Sequence, residues 1–121
     1  MSDEELGAGV LSALSASRFL SPDEVGSFFD LAVIEKNYEG WVGHLLEKFG
    51  YKYRRDVFKN MKHCTIDRVD GVITIEPTNH EKLEAWCGKG IDKNDYEILD
   101  TAASDAELGK ALKRCFAKCI G

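Results

Sequence analysis

The sequence is poor in the features that mark disordered, membrane-spanning and secreted proteins. It has two prolines and no low-complexity tract, which argues against long disordered segments. It contains no run of about 18 apolar residues, so it predicts no transmembrane helix. The first residues, Met-Ser-Asp-Glu-Glu, are acidic, whereas a secretory signal begins with basic residues before an apolar stretch. We therefore expect a cytosolic protein, and the length of 121 residues predicts a single domain over residues 1–121.

Motifs that mark common active sites are also missing. The sequence has no nucleophile elbow and no HExxH motif, and Gly88-Lys89-Gly90 is too short for a phosphate-binding loop. A cysteine–histidine pair would require Cys64 to meet His63 or His80 in space, and adjacent strand residues point to opposite faces, which disfavours His63. We therefore expect no enzymatic activity.

Metal-binding motifs are absent as well. The three histidines lie far apart, and none of the cysteines forms a CxxC pair. Reduced, packed thiols are more typical of a cytosolic chain than disulfides. The cysteines are Cys64, Cys87, Cys115 and Cys119. We expect neither a metal nor another cofactor.

The net charge of −5 is unevenly distributed. Residues 52–62 carry five basic residues against Asp56, which leaves +4, whereas residues 67–107 carry eleven acids and four bases, which leaves −7. The acidic region suits a basic protein partner, because opposite potentials speed encounter. The basic stretch 52–62, with its aromatic neighbours, leaves open the alternative that the protein binds nucleic acid. For the acidic and the basic region alike, the simplest alternative is a solvent-exposed surface that binds no partner.

The N-terminal half is predicted to be helical. Ser2 with Glu5 fits a capping box, and the first helix is expected to run to about Arg18. Ser21-Pro22-Asp23-Glu24 predicts the start of a second helix. Three apolar residues of this second helix are expected to face inward: Val25, Phe28 and Phe29.

A third helix is predicted to start near Asn37 and to end at Gly50, where a left-handed residue fits. Residues 31–36 could belong to helix or loop, and residues 51–61 could form strand or a short helical turn. The helix carries a wide apolar face made of Trp41, Val42, Leu45, Leu46 and Phe49.

Strands follow, beginning with a hairpin around Asp70-Gly71, because glycine supplies the positive φ of a tight turn. Cys64 and Ile66 are predicted to face the core on one strand, and Ile73 and Ile75 on the next. Pro77 closes the second strand because it lacks an N–H group.

Two further strands and a helix complete the prediction. Residues 83–86 predict a third strand or a short helix, and residues 96–100 a fourth strand. Ser104 and Glu107 form another capping box, which starts the last helix. We therefore predict an α+β fold with N-terminal helices, an antiparallel β-meander of about four strands, and a C-terminal helix packed on one sheet face.

These segments carry a resemblance to a known family. Four segments resemble one family of contact-dependent growth inhibition (CDI) immunity proteins. They are Phe58-Lys59-Asn60-Met61-Lys62, the hairpin through Pro77, His80-Glu81-Lys82-Leu83-Glu84-Ala85-Trp86 and Glu107-Leu108-Gly109-Lys110-Ala111-Leu112. The likeness covers roughly residues 25–120, and the motifs that carry it are mainly structural, so they support the family better than they identify a site. It implies a protein that binds the cognate toxin domain of a large exported bacterial protein in a one-to-one complex. Such toxins are very often nucleases, and the inhibitor protects the producing cell and its siblings.

The resemblance transfers no site residues, so the interface is predicted from charge. A nuclease carries a basic substrate-binding surface, which an acidic inhibitor would complement. We expect the toxin contacts to come from Asp67, Asp70, Glu76, Glu81, Glu84, Asp92, Asp95 and Glu97. Strand alternation favours Asp67 and Glu76, while Trp86 and Tyr96 are either interface anchors or core residues. An unrelated protein-binding adaptor or regulatory domain is the alternative function.

Overall fold

The computed structural model describes residues 2–17 and 21–121, with the backbone alone at residues 26–28. The chain divides into two compact units, one formed by Met1–Ser17 with Met61–Gly121 and the other by Arg18–Asn60. The single domain predicted from the length stays a prediction. The α+β class, with a C-terminal helix on an antiparallel sheet, is confirmed.

The first unit begins with helix α1, Asp3–Ala16, whose start is capped by Ser2: its hydroxyl accepts a hydrogen bond from the Glu5 amide at 3.1 Å. The helix ends two residues before the predicted Arg18, which lies outside the described residues. Near the other end of the sequence, helix α5, Asp105–Ala117, begins with the predicted capping box of Ser104 and Glu107. These two helices pack against each other.

Five strands belong to the first unit: β1 (Cys64–Val69), β2 (Val72–Pro77), β3 (Asn79–Lys82), β4 (Ala85–Cys87) and β5 (Glu97–Asp100). The hairpin between β1 and β2 turns at Asp70 and Gly71, both with positive φ (52° and 78°), as predicted. Pro77 ends β2, also as predicted. A short 3-10 helix, Lys93–Asp95, precedes β5.

The predicted four-stranded meander divides into two antiparallel sheets. Strand β2 pairs with β1 on one edge and with β5 on the other, while β3 and β4 form a separate two-stranded sheet. Residues 83–86, which could have been strand or helix, lie in this β3–β4 hairpin, and Ala85 and Trp86 begin β4. Pro77 lacks an N–H group and ends β2, and β3 and β4 then pair with each other while β5 pairs with β2.

The core of the first unit lies between α5 and the three-stranded sheet. Ile73 and Ile75 of β2 are fully covered, together with α1 and α5 residues. The buried cluster consists of Val10, Ile73, Ile75, Leu108, Ala111, Leu112 and Cys115. The apolar residues that alternate along β1 and β2 therefore lie on the side of the sheet that faces α5.

The second unit contains helices α2 (Pro22–Phe28), α3 (Leu31–Phe49) and α4 (Arg54–Phe58). Ser21 begins α2 as predicted, since its hydroxyl and its amide both donate to the Glu24 carboxylate. Gly50 ends α3 in the left-handed region with φ 69°, also as predicted. The unit buries Val42, Val57 and Phe58.

Helix α3 starts at Leu31, so residues 31–36, which the sequence left open between helix and loop, are helical. Asp30 is its cap, because the Asp30 carboxylate accepts hydrogen bonds from the amides of Ala32 and Val33 at 3.0 and 3.2 Å. This satisfies the exposed donors of the first turn. The ambiguous segment 51–61 contains a helix, α4, rather than a strand at Tyr51 and Tyr53.

The expected inward face of α2 is partly wrong, and the wide apolar face of α3 is only partly buried. Val25 and Phe29 are 42% and 56% exposed, and Trp41 and Phe49 are 45% and 60% exposed. The side chain of Phe28 lies outside the described residues. Periodicity shows which helix face is apolar, but it does not show whether another element covers that face.

Candidate protein-binding surface

The three-stranded sheet has an outer face, opposite α5, that remains accessible. Alternation along each strand gives this face eight positions. They are Thr65, Asp67 and Val69 of β1, Val72, Thr74 and Glu76 of β2, and Ile98 and Asp100 of β5. None of these eight residues is basic. The outer face therefore combines apolar and acidic groups without an internal counter-charge.

Strand register brings three apolar side chains of the outer face together. Val69 lies directly opposite Val72, and Ile98 lies opposite Thr74, one diagonal step from Val72. Cross-strand and diagonal neighbours are close enough for their side chains to meet. Val69 is 59% exposed, Val72 41% and Ile98 68%. We call Val69, Val72 and Ile98 the apolar centre.

Carboxylates border the apolar centre. Asp67 lies opposite Thr74, and Asp100 lies opposite Val72. Asp70 occupies the hairpin turn, and Glu76 is half-buried one outward position beyond Thr74. We call Asp67, Asp70, Glu76 and Asp100 the acidic rim. The Asp100 carboxylate also accepts a hydrogen bond from the Ala102 amide at 2.8 Å.

The eight acids predicted from the sequence do not lie on one surface. Asp67, Asp70 and Glu76 belong to the acidic rim, whereas Glu81 is on β3 and Glu84 is in the turn between β3 and β4. Asp92 and Asp95 form the capping box of the 3-10 helix. Glu97 accepts a hydrogen bond from Arg114 of α5.

The two aromatic candidates are both half-buried. Trp86 stacks with two imidazole rings, and the ring centroids lie 4.6 Å from His80 and 5.4 Å from His63. The Trp86 indole N–H donates to the Met61 carbonyl at 3.2 Å. These contacts hold Trp86 in the small sheet, and they are typical of a structural role as well as of a partly exposed anchor.

The basic stretch 52–62 is partly neutralised by ion pairs within the second unit. Arg54 donates to both carboxylate oxygens of Glu39 at 2.8 and 2.7 Å, and it lies over the ring of Tyr38. Lys59 pairs with Asp56 at 3.6 Å. Pairing of this kind reduces the positive potential available to a nucleic acid.

Three thiols converge between β1 and α5. The Cys64 sulfur lies 3.2 Å from the Cys115 sulfur and 3.8 Å from the Cys119 sulfur. Burial is the main cause that raises the pKa of Cys64, aided by the neighbouring thiols, and burial also raises the pKa of Cys115. Such thiols stay protonated and pack as small apolar groups. Within residues 2–17 and 21–121, no set of three or more side chains is arranged to hold a metal ion.

Sequence reasoning missed Val69, Ile98 and Asp100. The alternation that placed Asp67 outward also places Val69 outward, two residues later. Ile98 has the same signal, since it alternates with Leu99, which packs against the core. Apolar outward residues are easily assigned to a core when only one strand is considered.

Comparisons with known proteins agree with the resemblance seen in the sequence. The model of the CdiI family, described as CDI immunity protein, matches residues 1–119. The immunity protein CdiI-YPIII of Yersinia pseudotuberculosis serotype O:3 (strain YPIII) is 38% identical over 133 residues, covering 100% of this chain and 75% of the relative.

Two solved structures are similar in fold and sequence. A Neisseria meningitidis protein of unknown function superimposes with a TM-score of 0.88 at 40% identity, covering 98% of this chain and 72% of that one. A chain in the CdiA-CT/CdiI toxin and immunity complex from Yersinia pseudotuberculosis superimposes with a TM-score of 0.84 at 36% identity, covering 98% and 75%.

Proposed function

Because this chain belongs to the CDI immunity protein family, we propose that it binds and neutralises the cognate C-terminal toxin domain of a CDI exoprotein. The observation that carries the proposal is its similarity, over almost the whole chain, to a structure of a toxin and immunity complex. The inhibitor would protect the producing bacterium and its siblings. The alternative of an unrelated adaptor domain has no comparable support.

A toxin inhibitor of this kind acts by binding, so it needs a complementary surface rather than an active site. We propose a one-to-one complex without enzymatic activity. In the described residues, no helix is long and apolar enough to cross a membrane. We place the proposed activity in the cytoplasm, where an incoming toxin would act.

We propose further that the cognate toxin is a nuclease. Its substrate-binding surface would be basic, and the acidic rim supplies the opposite potential. The net charge of −5 would also favour rapid encounter with a basic domain. Of the eight predicted acids, Asp67 and Glu76 fit best, because they share the outer sheet face, while Asp95 and Glu97 already have intramolecular partners.

Binding to the toxin domain encoded immediately upstream tests this function directly. Calorimetry should show a one-to-one complex with a nanomolar Kd, or about −12 kcal/mol, and no heat with a non-cognate toxin domain. Absence of binding to a folded cognate domain would contradict the proposal. The nuclease assignment is tested separately, by following degradation of RNA and DNA by the toxin with and without one equivalent of the inhibitor.

Charge reversal tests the acidic contacts. The double substitution Asp67→Lys with Glu76→Lys should slow association and reduce its dependence on salt, because rim charges act mainly on the encounter. Glu47→Lys is a matched control, since Glu47 is an exposed acid on α3 in the other unit. Equal association rates for the double variant and the Glu47→Lys control would exclude Asp67 and Glu76 from the interface.

A further inference from the structure

We infer that the apolar centre, Val69, Val72 and Ile98, is the energetic anchor of the toxin interface, and that the acidic rim steers a basic partner onto it. The inference rests on the proposed function and specifies its binding surface. The partner surface it fits is an apolar patch bordered by lysine or arginine. The sequence alone pointed to the acids, so this assignment moves the main source of affinity from charge to apolar contact.

The apolar centre is one contiguous patch rather than a set of scattered residues. Strand register makes Val69 and Val72 direct neighbours and puts Ile98 diagonally beside Val72. All three remain exposed, at 59%, 41% and 68%. Contiguous exposed apolar groups are typical of interaction sites, because covering them removes apolar surface from water.

The patch is also rigid before binding. Val69, Val72 and Ile98 are β-branched, and their χ1 angles are restricted on a strand. The strands beneath them are fixed by the buried Ile73 and Ile75 on the opposite face. Little side-chain entropy is therefore lost on binding, which leaves more of the contact free energy for affinity.

Charge of one sign surrounds the patch. Asp67, Asp70, Glu76 and Asp100 lie around the apolar centre, and the eight outward positions include no lysine or arginine. A water-excluding apolar centre within a polar rim is the usual anatomy of a protein interface. The rim contributes association rate and specificity, while the centre determines dissociation.

The same charges decide between the toxin and a second copy of this chain. In a two-fold dimer through this face, the same surface would meet itself. The acidic rim would then oppose another acidic rim, and like charges across an interface disfavour association. A basic toxin domain has the opposite charge and avoids this repulsion.

The test replaces the apolar centre with threonine, which keeps the β-branched shape and the strand preference. The variant combines Val69→Thr, Val72→Thr and Ile98→Thr. If these residues are the interface hot spot, toxin affinity should fall about 100-fold, mainly through faster dissociation. Surface plasmon resonance with the cognate toxin domain measures both rate constants.

The matched control is Leu83→Thr, since Leu83 is 40% exposed but lies between β3 and β4, away from the apolar centre. It should bind like the unsubstituted protein. Circular dichroism and thermal unfolding of each variant establish that it is folded before binding is compared. Ile98→Thr alone, at the most exposed of the three positions, provides a second variant if the triple substitution unfolds.

The outcomes separate the inference from the function on which it rests. If the unsubstituted protein does not bind the cognate toxin, the proposed function fails. If it binds and the folded threonine variants bind equally well, the apolar centre is not the anchor, although the function stands. If sedimentation shows that the unsubstituted protein is a dimer that the threonine variant dissociates, the occupant is a second copy, and the inference is overturned.

Discussion

Gly109 of α5 packs directly against the backbone of Asp3 in α1. A Cβ on Gly109 would overlap the Asp3 carbonyl oxygen, and a Cβ on Gly7 of α1 would overlap the Asp105 carbonyl oxygen in the same way. The two glycines therefore allow the helices to approach more closely than any side chain would permit. This contact joins α1 to the helix on which the three-stranded sheet packs.

Replacing Gly109 with alanine should separate the two helices. We expect Gly109→Ala to lower the free energy of unfolding by about 2 kcal/mol, the usual cost of overpacking. Urea denaturation measures the change. Gly9→Ala is the control, because nothing lies near a Cβ at that position of α1, and helix propensity predicts a gain of up to about 1 kcal/mol there. Equal effects at both positions would show that the close approach is not required.

The Asp3 side chain gives this helix contact a pH dependence. Lys113 of α5 pairs with Asp3 at 2.7 Å. The hydrogen bond from Lys113 is the main cause that lowers the pKa of Asp3, partly opposed by burial. A carboxylate with a lowered pKa in the folded state stabilises the fold above its unfolded pKa. That contribution is lost as the pH falls through the folded pKa.

We expect Lys113→Met to raise the pKa of Asp3 toward its ordinary value and to flatten the loss of stability below about pH 4. NMR titration of the Asp3 carboxyl carbon measures the pKa, and thermal unfolding between pH 2 and 7 measures the stability. Lys82→Met, at an exposed position on β3, serves as the control. An unchanged Asp3 titration in Lys113→Met would contradict the pairing.

The β1–β2 turn depends on Gly71, whose φ of 78° suits glycine far better than any residue with a side chain. The Gly71 carbonyl also accepts a hydrogen bond from the Thr101 amide at 3.1 Å, which ties the turn to the end of β5. Gly71→Ala should cost about 1 kcal/mol, because a side chain is strained in this region. Chemical denaturation checks the value, with Gly88→Ala as an unstrained control. A loss no larger than that of the control would argue against the strain.

Local signals in the sequence predicted the local structure well. Three of these signals act over a few residues, and each is found as predicted: the capping box of Ser104 and Glu107, the helix end at Gly50 and the Asp70-Gly71 turn. Long-range pairing was not predictable in the same way. Nothing near residues 97–100 shows that β5 would pair with β2, because that choice depends on β3 and β4 folding back on themselves.

The candidate site shows the same limit. Alternation correctly turned Asp67 toward the outer face, since a strand has a period of two. Only the register of three strands shows that one exposed patch is formed by Val69, Val72 and Ile98. The acids were grouped by their position in the sequence, and folding places Glu97 beside Arg114 instead, while Asp92 and Asp95 cap the 3-10 helix.

Thiol chemistry should distinguish the cysteine cluster from Cys87. Because burial raises the pKa values of Cys64 and Cys115, their reactive thiolate forms are scarce at neutral pH. We expect iodoacetamide to modify Cys64 and Cys115 at least about tenfold more slowly than Cys87 in the native protein. Peptide mass spectrometry over a time course measures each rate.

Labelling in concentrated urea provides the reference for these rates, because all four cysteines should then react at similar rates once burial is removed. The contrast between native and unfolded rates isolates the effect of the fold from that of neighbouring sequence. If Cys64 and Cys115 both react as fast in the native protein as in urea, the packed thiol cluster between β1 and α5 is wrong. If only Cys115 is protected, Cys64 lies at the open edge of the cluster, and its contact with the Cys115 sulfur is weaker than the 3.2 Å separation indicates.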